Sequence, residues 1–198
     1  MVVNILHQTP DYAVILKPVG LDSETECPEE IRRHLGGEIY PLHRLDKNVS
    51  GVMVYARTRA AAAALSRAVQ EGSMIKEYVA WVHGTPPAEG EWTDLIYKDP
   101  RKNKVFVVNR KRNGVKEARL SYQVLKTEKD QSLVQVRLFT GRTHQIRVQF
   151  SSRAFPLVGD HKYGARDAEK APLLYSFRIT FPWQGKTRVY THLPPWAE

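Results

Sequence analysis

The residues of this chain that could do chemistry lie in short polar runs between apolar segments. The first is His43-Arg44-Leu45-Asp46-Lys47-Asn48-Val49-Ser50-Gly51. It is pinned between Ile39-Tyr40-Pro41-Leu42 and Val52-Met53-Val54-Tyr55, whose β-branched and aromatic residues predict a strand. Asn48 and the Ser50-Gly51 pair supply turn residues, so the run predicts a tight loop at a sheet's end with Asp46 on a rigid corner. A carboxylate there has two uses. It is either a turn former bonded to its own backbone, or a nucleophile or base kept ionised by flanking cations. Local sequence does not choose between them. The second run is Thr140-Gly141-Arg142-Thr143-His144-Gln145-Ile146-Arg147-Val148-Gln149-Phe150. A strand, a glycine turn and Thr143 as N-cap predict a helix whose N–H groups converge with Arg142 on an anion. Ile146 and Phe150 would face the core, and His144 and Arg147 would share another face. A plain amphipathic helix is the alternative, but the donors Arg142, Thr143, His144, Gln145 and Arg147 exceed what capping requires.

The elements that must position these runs follow from pattern. Ala13 to Leu16 predicts a short buried strand stopped by Lys17-Pro18-Val19-Gly20, and Glu29 to His34 a short helix ended by Gly36-Gly37. Thr58 predicts the N-cap of an Ala-rich helix running to about Glu71, with Ala61, Leu65 and Val69 on one face and Gly72 as its stop. Ile75 to Val82 predicts a strand that turns Tyr78 inward beside Ala80 and Val82, as a half-buried phenol. Strands near 92–97, 104–109, 118–126 and 132–139 follow without intervening helices, which predicts an antiparallel meander. Leu157 to Gly164 is turn-rich, and Leu173 to Phe181 with Lys186 to Tyr190 predicts a closing hairpin.

Composition sets the bounds. With 198 residues, 42% of them hydrophobic and 26% charged, the chain is long enough for a sizeable core and is most simply one globular domain, residues 1–198. No apolar stretch approaches a membrane span, and Met1 to His7 lacks the basic and apolar regions of a signal peptide, so a cytoplasmic location is expected. Cys27 is the only cysteine, which excludes an internal disulfide and a thiolate zinc site, and the histidines show no metal-ligand spacing. No metal is expected. The 30 basic against 21 acidic residues give a formal charge of +9, which points to a polyanion partner. Much of that excess brackets the apolar Val105 to Val108: Lys98, Arg101, Lys102 and Lys104 on one side, Arg110, Lys111, Arg112 and Lys116 on the other. This predicts a hairpin with basic ends, either a solubilising tip or a patch that tracks a phosphate backbone.

Taken together, His43-Arg44-Leu45-Asp46 with Ser50-Gly51, Lys76-Glu77-Tyr78-Val79-Ala80, Gly141-Arg142-Thr143-His144-Gln145-Ile146-Arg147, and Gly159-Asp160 with Tyr163-Gly164 resemble the ordered motifs of the RluA-type pseudouridine synthases. Lys17-Pro18-Val19-Gly20-Leu21 matches that family's opening motif. The resemblance implies an α+β catalytic domain with a mixed, mostly antiparallel central sheet, flanking helices and a catalytic cleft. It implies isomerisation of uridine to pseudouridine in transfer or ribosomal RNA, with no cofactor, by a monomer without an obligate protein partner. In that family's terms Asp46 attacks the nucleoside at the ribose C1′ or promotes a glycal route, Arg147 pairs with Asp46, and Tyr78 stacks on the base and serves in proton removal from C5. Arg44 enters the helix vacated by the flipped uridine. His43, Arg142, Thr143, His144 and the hairpin cations Lys102, Lys104, Arg110, Lys111 and Arg112 are the expected RNA contacts. Two positions depart from the pattern: Val49 stands where the family usually has Thr, and Gln149 where it more often has His. Some members carry an N-terminal S4-type domain, whereas this chain opens almost at the first catalytic motif, so substrate selection is expected from its own loops and hairpin. Other classes stay open. A non-catalytic RNA-binding protein would need no intact Asp46, Tyr78 and Arg147, and a hydrolase built on Asp46 and His144 would need an oxyanion site, with no GxSxG element present.

Overall fold

A computed structural model describes residues 3–197; Met1 and Val2, which belong to the N-terminal stretch read above, and Glu198 lie outside the described residues. The fold is α+β and divides into two compact units, residues 1–76 with 175–198, and residues 77–174.

The first unit carries β1 (Asn4–Gln8), β2 (Tyr12–Lys17), α1 (Glu26–Leu35), β3 (Tyr40–Pro41), β4 (Ser50–Ala56), α2 (Arg59–Gln70), β10 (Leu174–Trp183) and β11 (Lys186–Thr191). Its strands run β1-β2-β4-β10-β11, with β3 also against β4. The pairs are antiparallel except β4 with β10, which is parallel, so the sheet is mixed and mostly antiparallel. Gly51 to Ala56 are all buried, as a strand covered on both faces requires. Tyr12, Val14, Val52, Val54, Leu65, Ala68, Ile179 and Phe181 form the core, and each fully buried Val, Leu or Phe contributes roughly 1.5–3 kcal/mol. The Thr58 hydroxyl accepts the Ala61 N–H at 3.1 Å and starts α2 where its sequence predicts.

Two readings change here. Helix α1 begins at Glu26, not Glu29, because the Asp22 carboxylate takes the N–H groups of Glu24 and Thr25 at 2.9 Å and launches the chain into a helical turn, with Pro28 tolerated in the first turn. Ser50-Gly51 belongs to β4 rather than to the turn. Gly51, at φ +131°, lies so close to β10 that a Cβ would strike the Ser176 backbone, which is why a glycine stands there.

The second unit takes up β5 (Ile75–His83) from Glu77 onward, then β6 (Glu89–Asp99), β7 (Lys104–Val108), β8 (Val115–Glu128), β9 (Gln131–Leu138) and α3 (Gln145–Ser151). The strand order β5-β9-β8-β6-β7 is not the sequential meander expected. Strand β6 pairs with β7 over Leu95–Asp99 and with β8 over Glu89–Tyr97, so it lies between them. The five-residue β7 is too short to carry the fourteen-residue β8; it lies at the edge instead, with Val105 packed on Val148 of α3 and Tyr163.

Candidate active site

In the first unit the loop from His43 to Val49 is braced from below. The Val49 N–H closes a turn on the Asp46 carbonyl at 2.9 Å, with Lys47 and Asn48 at its corners, so the rigid corner is present. Ser23 clamps Leu45, its hydroxyl donating to the Leu45 carbonyl at 2.9 Å and accepting the Leu45 N–H at 3.2 Å. Lys17, only 1% exposed, donates from Nζ to the carbonyls of Val49 (2.7 Å), Pro18 (2.9 Å) and Lys47 (3.2 Å). The Gly20 N–H adds a bond to the Lys47 carbonyl at 2.8 Å. Neither Lys17 nor Ser23 stands out as a site residue from local sequence; the one signal is a lysine at the end of an otherwise apolar strand.

Burial pushes the Lys17 ammonium down to about 8, a shift partly opposed by Cys27, Asp46, Asp22 and Glu26. Below that pH the lysine is charged in both folded and unfolded chains. Between about 8 and its ordinary value of 10.5 the unfolded chain binds the proton and the folded one does not, so the Lys17 contribution to stability rises with pH across that window. Lys17→Met should flatten this rise and, by orphaning buried carbonyls, cost about 1–3 kcal/mol at neutral pH. Urea unfolding of both proteins from pH 7 to 10.5 checks it; parallel curves would remove Lys17 from the bracing.

Arg44 is exposed and reaches Glu24 at 3.7 Å, a loose surface pair. His43 turns inward: Nε2 accepts the Val54 N–H at 3.3 Å, and Nδ1 is buried without a hydrogen-bond partner among the described residues. Burial, reinforced by Lys76, pushes its imidazole down to about 3, so it stays neutral at physiological pH.

In the second unit Tyr78 is 4% exposed, fully rather than half buried, because Tyr78 to Val82 is covered on both faces. Helix α3 also differs from its expectation. Thr143 is not the cap; His144 holds that position at φ 51°, ψ 24°, and its side chain does not cap the helix's own N–H groups. The acceptor comes from within the helix, as Gln145 Oε1 takes the Arg142 N–H at 3.0 Å and the Thr140 hydroxyl at 2.7 Å. Gln145 to Phe150 are all buried, so this is neither an amphipathic surface helix nor an open anion cradle. Every polar side chain inside it therefore needs a partner. Arg147, 5% exposed, makes a two-pronged bond to Asp160, itself 1% exposed, Nε to Oδ2 at 2.7 Å and Nη2 to Oδ1 at 2.9 Å. Gln149 donates to Asp94 at 2.7 Å, where Arg153 also lands.

Tyr163 ties several expected residues together. Its hydroxyl lies 2.8 Å from His144 Nδ1 and accepts the Val105 N–H at 2.9 Å, while the Arg147 guanidinium and Lys104 ammonium lie 5.0 and 5.1 Å from its ring. Lys102 and Lys104 flank Phe106, and Arg112 covers Tyr97 at 4.7 Å; Arg110 and Lys111 are exposed. Arg142, exposed, reaches the Glu117 carbonyl from Nε at 3.0 Å. The second unit thus joins Arg147, His144 and Lys104 around one phenol. Asp46 belongs to the first unit, Tyr78 and Arg147 to the second.

The family model described as RNA pseudouridylate synthase matches residues 9–152, a span that contains the Asp46 loop, Tyr78 and Arg147. The chain belongs to the RNA pseudouridylate synthase family. An RNA pseudouridine synthase of Chloroflexus aurantiacus, named as uncharacterized, is 42% identical over 138 residues, covering 67% of this chain and 42% of that protein. A ribosomal large subunit pseudouridine synthase D of Zymomonas mobilis is 36% identical over 145 residues, 72% of this chain and 45% of the relative. The solved structure of human RNA pseudouridylate synthase domain containing 1 superposes with a TM-score of 0.85 at 24% identity, covering 98% of this chain and 84% of that one, which is a likeness of fold. The chain spans about half the length of the curated relatives it matches. The motif resemblance and the α+β fold expected from it are both borne out.

Proposed function

We propose that this chain isomerises uridine to pseudouridine in structured RNA, with Asp46 as the essential carboxylate. The observation that carries the reading is the braced Asp46 corner, held by Lys17 and Ser23, in a chain of the pseudouridylate synthase family. In this reading the Asp46 carboxylate adds to the ribose C1′, or promotes a glycal, as the N1–C1′ bond breaks. The uracil turns, C5 bonds to C1′, the carboxylate departs, and C5 gives up its proton while N1 gains one. Arg147, gripped by Asp160, is the catalytic arginine of this reading, and Tyr78 stacks on the base and takes part in the C5 proton transfer. Arg44 fills the stack that the target leaves. Arg142, Thr143 and His144, with the hairpin cations, hold phosphate; His43, neutral and turned inward, serves the loop's own fold.

Ribosomal RNA is supported by the names of several relatives, and transfer RNA is the competing substrate. The work is cytoplasmic in either case. Mapping pseudouridine across total RNA from cells with and without the gene tests function and target together. Loss of one or a few sites is expected, and an unchanged map would contradict the reading.

The hairpin is tested separately. Replacing Arg110, Lys111 and Arg112 by Ala should weaken RNA binding and lower the slope of log K against log salt by about 0.7–0.9 for each phosphate that is no longer neutralised. An unchanged slope would assign these cations to solubility.

A further inference from the structure

The segment that delivers Asp160 to Arg147 is fastened from a direction the reaction itself does not explain. Asp160 has its backbone tied within its own turn: its N–H bonds the Leu157 carbonyl at 3.0 Å, and its carbonyl accepts from Tyr163 at 2.9 Å and Ala165 at 3.1 Å. The residue before it is Gly159, and the Gly159 N–H goes to a side chain. Both oxygens of Asp167 accept it, at 3.1 and 3.0 Å. The same carboxylate accepts the Glu169 N–H at 2.9 Å and pairs with His83 Nε2 at 2.6 Å. His83 ends β5, the strand that carries Tyr78. The segment before Gly159 is stitched to that strand as well, His83 N–H to the Pro156 carbonyl at 2.9 Å and Val158 N–H to the Trp81 carbonyl at 2.9 Å. Gly159 stands at φ +79°, and a Cβ there would strike the Ala171 carbonyl, so its backbone sits in a slot between Asp167 and Ala171.

We infer that Asp167, held by His83, is a positioning residue for the isomerisation: it fixes the Gly159 peptide so that Asp160 presents its carboxylate to Arg147 in the two-pronged geometry. The inference rests on the function proposed above. Burial raises the Asp167 carboxyl, but the donors from Gly159, His83 and Glu169 outweigh it and hold the group down at about 2, so it is an anion throughout the physiological range. A two-pronged guanidinium pair tolerates little displacement, and misplacement by about 1 Å of a catalytic group can cost on the order of 10²-fold in rate.

The test is a double-mutant cycle on the whole chain. Tritium release from 5-³H-uridine RNA is followed under single-turnover conditions, where residual rates can be read, with RNA affinity by filter binding and folding by thermal melting. Asp167→Ala should lower the rate about 10- to 100-fold with RNA affinity within about twofold, because the group acts on geometry and not on RNA. In an Arg147→Lys background, where the two-pronged bond is already lost, the same change should cost less than about threefold. Asp167→Asn keeps one oxygen for the Gly159 N–H and should recover much of the rate; Asp167→Ser, which lacks the carboxylate and its reach, carries the same cycle if the alanine variant does not fold. Equal losses in both backgrounds, or a folded Asp167→Ala protein with the wild-type rate, would overturn the inference while leaving the isomerase reading intact. No release by the wild-type protein overturns that reading, and this inference with it.

Discussion

Purified Asp46→Asn protein is expected to fold, to bind RNA with near wild-type affinity, and to form pseudouridine at a rate at least on the order of 10⁴-fold below wild type. The change is nearly isosteric. The turn bond from the Val49 N–H goes to the Asp46 backbone carbonyl, and the bracing by Lys17 and Ser23 falls on neighbouring carbonyls, so none of it depends on the carboxylate. A turn-forming Asp would accept Asn at a cost of about 1 kcal/mol or less. A nucleophilic carboxylate would not, because the amide is neither a useful nucleophile nor a base at neutral pH. Affinity is expected to survive because phosphate contacts elsewhere dominate it. Melting curves, filter binding and product formation on the same preparation separate these outcomes. A stable variant with undiminished product would return Asp46 to the role of turn former.

The other large effect is expected at Arg147. Arg147→Ala leaves the Asp160 carboxylate, 1% exposed, without the guanidinium that grips it, and breaking a buried pair in this way costs about 3–5 kcal/mol. The variant should therefore lose both stability and activity, which alone would not separate a structural arginine from a catalytic one. The double variant Arg147→Met with Asp160→Asn does separate them. It removes both charges, so most of the stability should return, while pseudouridine formation stays abolished. Denaturant midpoints and product formation for the two variants check this. Recovery of activity along with stability would confine Arg147 to packing.

How much of this was legible in the sequence depended on how local the cause was. The Thr58 cap, the apolar alternation of Val134 and Val136 and the basic flanks of the β6–β7 hairpin are set within a few residues, and each appears where its pattern places it. What was missed is set by partners far along the chain. Gly51 read as a turn glycine because nothing local announces the Ser176 backbone, distant in sequence but pressed against it in the parallel β4–β10 pair. Lys17 read as the end of a strand, whereas its ammonium fastens carbonyls of Lys47 and Val49. Helix α3 shows the limit most clearly. Its run of donors suggested a solvent-facing anion site, but the helix is buried on every side, and its charge is answered by Asp160. The motif Gly159-Asp160 with Tyr163-Gly164 was visible as a motif while its work was not, since both Asp160 and Tyr163 act on α3.

Everything proposed for the site requires that this chain move the glycosidic bond of uridine from N1 to C5. The most direct measurement is tritium release by the purified wild-type chain from ribosomal and transfer RNA labelled with 5-³H-uridine, since the label leaves only when C5 becomes the glycosidic carbon. Release from one RNA class, reaching a plateau at a fixed number of sites and absent with Asp46→Asn, is the predicted result. Absence of release from either class, or equal release by Asp46→Asn, would contradict it.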